Sequence, residues 1–147
     1  RDKRDFLRYK LKEYGYYQLQ KSVWISFYPL PAKIKKIIKE SDFADQVVFL
    51  KTKSLETKNT QELISKVFHL DKLILRYQKI LEYLSNLKIN KIPKIYHDRR
   101  GFWEFLKNEI LTLFSLTPSL PQKLLPKELK EKMYQVKSLI KDVSKSI

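Results

Sequence analysis

Apolar positions recur along the chain with two periods, and the change between them sorts the sequence into elements. Phe6, Leu7, Leu11 and Tyr14 fall at helical spacing and predict an amphipathic helix over residues 1–14. Arg1, Arg4, Arg8 and Lys12 recur on another face of that helix. Gly15, free to take positive φ, ends it. The next stretch, YYQLQKSVWISFY at 16–28, is aromatic and β-branched, and Gln20-Lys21-Ser22 can turn the chain. A hairpin is expected, with strands at about 16–20 and about 22–28. In its second strand Val23, Ile25 and Phe27 share one face, and Trp24, Ser26 and Tyr28 share the other. Pro29-Leu30-Pro31 breaks the pattern. A helix over 32–41 follows, with Ile34, Ile37 and Ile38 as its buried stripe and Lys33, Lys35, Lys36 and Lys39 in water. QVVFLKTK at 46–53 predicts a third strand.

A polar stretch at 54–60 reads as a linker, and from Gln61 the period is helical throughout. Leu63, Val67, Leu70, Ile74, Tyr77, Leu81 and Leu84 alternate steps of four and three, with a break expected near Phe68-His69-Leu70-Asp71, where Asp71 can cap a new helix. Residues 88–100 are basic, irregular and contain Pro93. Phe102, Trp103, Phe105, Leu106, Ile110, Leu113 and Phe114 mark an amphipathic helix over 101–116. Pro-punctuated loop fills 117–126, and a last helix is expected from Lys127 to about Val143. The fold class is therefore α+β: an α-β-β-α-β domain at 1–56 and an all-helical domain at 57–147.

The order α-β-β-α-β is one strand short of the β-α-β-β-α-β ferredoxin-like unit. In that topology the first strand is central, and a sheet without it leaves unpaired edges in its middle. A hydrophobic strand is therefore expected just upstream of Arg1 in the natural protein. The chain opens on Arg rather than Met and reads as a fragment.

Composition narrows the chemistry. The 147 residues are 43% hydrophobic and 13% aromatic, enough for a packed core. Two glycines, Gly15 and Gly101, cannot supply a P-loop or a dinucleotide-binding turn. Cysteine is absent, which removes disulfides, thiolate zinc sites and Cys nucleophiles and fits a reducing, cytoplasmic setting. His69 and His97 are too few for a multi-His metal centre, no cofactor is expected, and no stretch is long and apolar enough to span a membrane. Lys plus Arg number 31 against 16 Asp plus Glu, a net charge of +15, which favours polyanionic partners, nucleic acid first. Lysine-rich composition from an AT-rich genome gives the same number without such a partner.

The run RDFLRYKLKEYGYYQLQKSVWISFYP at 4–29 resembles the middle domain of PaaX-type transcriptional repressors. That domain has an arginine-rich helix, a Leu-Gly-Phe-like turn and a Val-Trp-Val/Ile strand; Tyr14-Gly15-Tyr16 and Val23-Trp24-Ile25 stand in those places. Phe68-His69-Leu70-Asp71-Lys72-Leu73 followed by Tyr77 resembles the W-x-L-x-x-L-x-x-x-Y opening of the family's helical domain, with Phe68 in place of Trp. Pro118-Ser119-Leu120-Pro121 and Leu124-Leu125-Pro126 resemble its D-P-x-L-P-x-x-L-L-P loop, with Thr117 in place of Asp. The Trp-Pro-Gly that follows that loop in the family is absent, and Leu129 sits near the Trp position. The resemblance implies a regulator in which a winged helix, absent from this chain, reads DNA. A ferredoxin-like domain makes a homodimer, and a helical domain senses an acyl-CoA-type effector. The same middle domain is similar in fold to the CRISPR adaptation nucleases.

Each candidate site has a plain alternative. Arg1, Arg4, Arg8 and Lys12 are candidates to follow nucleic-acid phosphates, or form a solvated face with Asp2, Asp5 and Glu13 among them. Val23, Trp24 and Ile25 are candidates for a dimer interface, with Trp24 read as a packing residue rather than a base-stacking platform. Arg99, Arg100 and Trp103 would edge an apolar pocket for an acidic acyl-type effector, or belong to a core helix behind a basic loop. His97-Asp98 is not expected to act as a dyad, since neighbours in sequence point apart, and His69 reads as a packed or capping residue. The expected function is non-enzymatic regulation of transcription. The alternatives are a metal-dependent nuclease of the CRISPR-adaptation kind and a binding module. A nuclease needs a carboxylate at the end of the first strand, and Asp42 and Asp45 merely flank a loop.

Overall fold

The computed structural model describes residues 2–53 and 59–146. The chain divides into two compact units, Arg1–Leu63 and Ile64–Ile147.

The first unit opens with helix α1, Asp2–Glu13. Its end is a Schellman motif around Gly15, whose φ is +76°. The Tyr16 amide donates to the Leu11 carbonyl at 2.8 Å and the Gly15 amide to Lys12 at 3.0 Å, which satisfies carbonyls left over at the helix end. The hairpin follows as strands β1, Tyr17–Gln20, and β2, Val23–Ile25. They are antiparallel, with Tyr17 opposite Ile25 and Gln18 opposite Trp24, and an irregularity between Gln18 and Gln20. The strands are shorter than predicted because β2 gives way to a local turn, in which the Tyr28 amide donates to the Ser26 hydroxyl at 3.1 Å. Helix α2, Ala32–Lys39, buries Ile34 and Ile38. Ile37, expected in that stripe, lies 36% exposed, at the edge of the face that Ile34 and Ile38 bury. Leu11, Leu30, Ile34 and Ile38 form that core, with Leu7, Tyr16, Trp24 and Val47 packed around it.

The third strand predicted at 46–53 does not form. Ala44–Gln46 is a turn of 3₁₀ helix, residues 47–52 belong to no regular element, and Val48 and Leu50 are 78% and 91% exposed. The apolar run has strand composition, but a strand exists only through a neighbouring backbone. In the split topology the last strand pairs with the first, and the sheet among the described residues has only β1 and β2. The unit is thus a helix–hairpin–helix arrangement of α+β class.

Helix α3, Thr60–Val67, carries the boundary between the units and is capped by Asn59, whose Oδ1 accepts from the Glu62 amide at 3.0 Å. The predicted break is at His69, which takes a left-handed conformation with φ 52°. Helix α4 then runs Leu70–Lys88. His69, not Asp71, occupies the cap position, and Asp71 instead accepts from the Ser65 hydroxyl at 3.3 Å. Leu70, Leu73, Tyr77, Ile80, Leu84 and Leu87 are buried at steps of three and four, the spacing of a coiled-coil seam. Helix α5, Arg99–Leu116, returns antiparallel and buries Phe102, Leu106, Ile110 and Leu113. Helix α6, Lys127–Ser144, buries Leu129, Val136 and Val143 seven residues apart. Lys132 Nζ donates to Gln78 Oε1 at 2.6 Å and Lys88 Nζ to Asp142 at 3.2 Å, so α6 lies parallel to α4. A parallel pair requires the intervening α5 to carry the chain back. Each leucine buried in this seam contributes roughly 1.5–3 kcal/mol.

Candidate functional site

The basic face of α1 lies on the first turns after the start of the chain; Arg1 is outside the described residues. Arg4, Arg8 and Lys12 are exposed, as the sequence predicts, but two of them are engaged nearby. Arg4 donates to Gln46 Oε1 at 2.6 Å, and Arg8 pairs with Asp5 at 3.1 Å. Next to them Lys3 meets Asp42 at 2.6 Å, and the Lys3 ammonium holds the Asp42 carboxyl below its ordinary value. Lys10 pairs with Glu13 at 2.7 Å, which raises the Lys10 pKa, and lies over the rings of Phe6 and Tyr9. Lys12 alone of the described trio has no partner among the described residues. Apart from the half-buried Lys10, these groups are exposed, so each contact is weak.

The hairpin residues split by face. Trp24 is half-buried against the core of Leu11, Leu30, Ile34 and Ile38, which makes it a packing residue of its own unit. Val23 is 40% exposed, and Ile25 is half-buried. Tyr16 donates to the Tyr28 carbonyl at 3.2 Å and fastens the hairpin to the segment that follows it.

Arg99 and Arg100 lie on α5 itself rather than in a loop before it. Asp98 caps that helix, accepting from the Gly101 amide at 2.7 Å, so a carboxylate already occupies the positive helix end. This also settles His97-Asp98: Asp98 is a helix cap. Arg99 points to the end of α6, where it donates to the Ser146 hydroxyl at 2.8 Å, and Ser146 donates in turn to the Val143 carbonyl at 2.9 Å. A guanidinium beside the last carbonyls of a helix is electrostatically favourable. Arg100 is exposed, and Trp103, one turn on from Arg99, is half-buried. The aromatic rings nearby close on one another: Tyr96 lies 5.0 Å from Phe102 and 5.5 Å from Phe105, and Tyr83 lies 5.9 Å from Phe102. These rings pack as a core cluster where an apolar pocket was expected.

A cavity of about 640 Å³ lies elsewhere in this unit, between α4 and α6. Gln78, Glu82, Ser85 and Asn86 line it from α4, and Tyr134, Gln135 and Ser138 from α6. It is an open groove of hydrogen-bonding groups that includes the Glu82 carboxylate, and sequence reading missed it because the parallel pairing of α4 with α6 creates it. Among the described residues no three His, Asp or Glu side chains converge as metal ligands. No helix among them is long and apolar enough to cross a membrane.

Residues 1–64 match the family model described as the PaaX protein central Cas2-like domain. Searches of curated proteins and of solved structures give no significant match.

Proposed function

We propose, from the match of residues 1–64 to the PaaX central-domain model, that the chain is the dimerising and effector-sensing part of a transcriptional regulator of repressor type. The family match is the observation that carries this reading. It supports transcription regulation at family level, and the finer assignments rest on the residues. On this reading the first unit takes the ferredoxin-like form when a further strand pairs with the exposed run around Val48 and Leu50. The homodimer forms through the hairpin side that carries Val23 and Ile25. The helical unit receives an acyl-CoA-type effector, and Arg100, exposed near Trp103, is the guanidinium available to its acidic end. Sequence-specific reading of DNA falls to a region other than these residues, with Arg4, Arg8 and Lys12 adding contacts to phosphate. The protein works by binding and not by catalysis.

The test is a gel shift of the whole protein with DNA flanking its own gene, at two salt concentrations, with and without acyl-CoA thioesters. A specific shift released by one thioester supports the reading. No shift at low salt overturns it.

A further inference from the structure

We propose that the outer face of α6 is a contact surface for a nucleic-acid phosphate backbone. This rests on the charge arrangement of α6 and not on the family match, which ends at residue 64.

The side of α6 carrying Leu129, Val136 and Val143 is packed away. Lys127, Lys130, Tyr134, Lys137, Lys141 and Lys145 fall at steps of three and four along the opposite side. At 100° per residue they occupy an arc of roughly 80° and extend about 27 Å along the axis. All six are exposed, Tyr134 to 75%. The acids of the helix, Glu128, Glu131 and Asp142, lie on a different flank. Asp142 is taken by Lys88, and only Lys127 approaches an acid, Glu131, at 3.9 Å. Among the described residues Lys130, Lys137, Lys141 and Lys145 have no carboxylate partner.

A solvated helix normally mixes its charges so that neighbours one turn apart attract. Here Lys137 and Lys141, and Lys141 and Lys145, are like charges four residues apart, which destabilises an isolated helix. A row of anions relieves that repulsion. The match is to a phosphate backbone rather than to a bilayer, because Leu129, Val136 and Val143 are buried, Met133, Leu139 and Ile140 are half-buried, and the lysine-bearing face has no apolar stripe to insert. Tyr134, with Lys130 before it and Lys137 after it, gives an unpaired base a ring to stack on between two phosphate contacts.

The test is fluorescence anisotropy of the whole chain with a labelled mixed-sequence 20-base-pair duplex and its single strand, between 50 and 200 mM salt. Replacing Lys127, Lys130, Lys137, Lys141 and Lys145 by Gln is expected to lower the salt slope by about four and to weaken binding at least roughly tenfold at low salt. Replacing the same five by Arg keeps both, and the chain carrying Gln at Lys33, Lys35, Lys36 and Lys39 of α2 stays within about threefold of the parent. Tyr134→Ala is expected to weaken the single strand more than the duplex. Protection of Lys130, Lys137 and Lys141 from acetylation by bound duplex reads the same contact in the unmutated protein. Failure of the parent chain to bind either probe at low salt, equal losses from the α2 set, or binding to phosphatidylserine vesicles in place of nucleic acid overturns the proposal. None of these outcomes bears on operator recognition, so the regulator reading stands or falls by its own gel shift.

Discussion

The Tyr77 and Thr117 hydroxyls meet at 2.9 Å, joining the middle of α4 to the end of α5. Thr117 also donates to the Leu113 carbonyl at 2.8 Å, which uses its proton. Tyr77 is therefore the donor between the two, and its ring is fully buried. Tyr77→Phe keeps the ring and leaves the Thr117 oxygen short of a donor. The expected loss is about 1 kcal/mol, seen as a lower urea midpoint with an unchanged slope. Tyr77→Ala removes the ring as well and is expected to cost roughly 3–5 kcal/mol.

The same residue sets an alkaline limit. Burial raises the Tyr77 pKa, and burial raises those of Tyr16 and Tyr17 as well. A folded-state pKa above the unfolded value means that the folded chain holds the proton longer. Stability from these groups is full below the unfolded tyrosine value of about 10 and is lost as the pH rises through the folded values. Urea midpoints of the parent should fall above about pH 10, and those of Tyr77→Phe should fall less steeply. Parallel slopes for the two would show that Tyr77 ionises as freely folded as unfolded.

The start of α5 depends on Asp98. Asp98→Ala strips the Gly101 amide of its acceptor and leaves the helix end without its negative charge. The expected cost is about 1 kcal/mol, with Asp98→Asn recovering most of it. The effect should appear in the melting of the helical signal and as faster hydrogen exchange in the first turn of α5.

Elements whose signal lies in adjacent residues were readable from the sequence, and features that need a partner were not. Gly15 announced the end of α1, and the break before Leu70 was placed from the Phe68-His69-Leu70-Asp71 run, although His69 and not Asp71 is the cap and the hydrophobic period runs through the break unchanged. His69 as a left-handed residue had no such signal: positive φ is uncommon for any residue other than glycine, and histidine merely tolerates it better than most. The run at 46–53 has strand residues but no strand, because pairing is a property of two segments and composition describes one. Arg99 and Arg100 were read as lying in a loop because Asp98 was not recognised as a cap, which moves the helix start two residues earlier. The charge segregation on α6 was present in the sequence throughout, but its meaning depends on knowing that Leu129, Val136 and Val143 face inward.

Gly15→Ala tests the turn between α1 and the hairpin. A Cβ at Gly15 has open space around it, so the cost comes from the backbone alone, at φ +76°. A loss of about 1–2 kcal/mol is expected, with Gly15→Asn milder than Gly15→Val. A neutral Gly15→Ala would mean that the turn relaxes to another conformation.

Val48 and Leu50 are apolar, exposed and in no strand, and the sheet among the described residues has only two strands. Such a segment is a template for pairing with another chain. Replacing both with Lys removes little packing, so unfolding midpoints should move by less than about 0.5 kcal/mol. Solubility and self-association should respond strongly, because two charges in an extended run oppose strand addition. Light scattering against protein concentration separates the two effects: the doubly substituted chain is expected to scatter as a smaller species wherever the parent associates. If the substitutions instead unfold the first unit, Val48 and Leu50 hold contacts that their exposure does not show. If association is unchanged, the parent pairs through another surface, and the hairpin residues Val23 and Ile25 are the next to substitute.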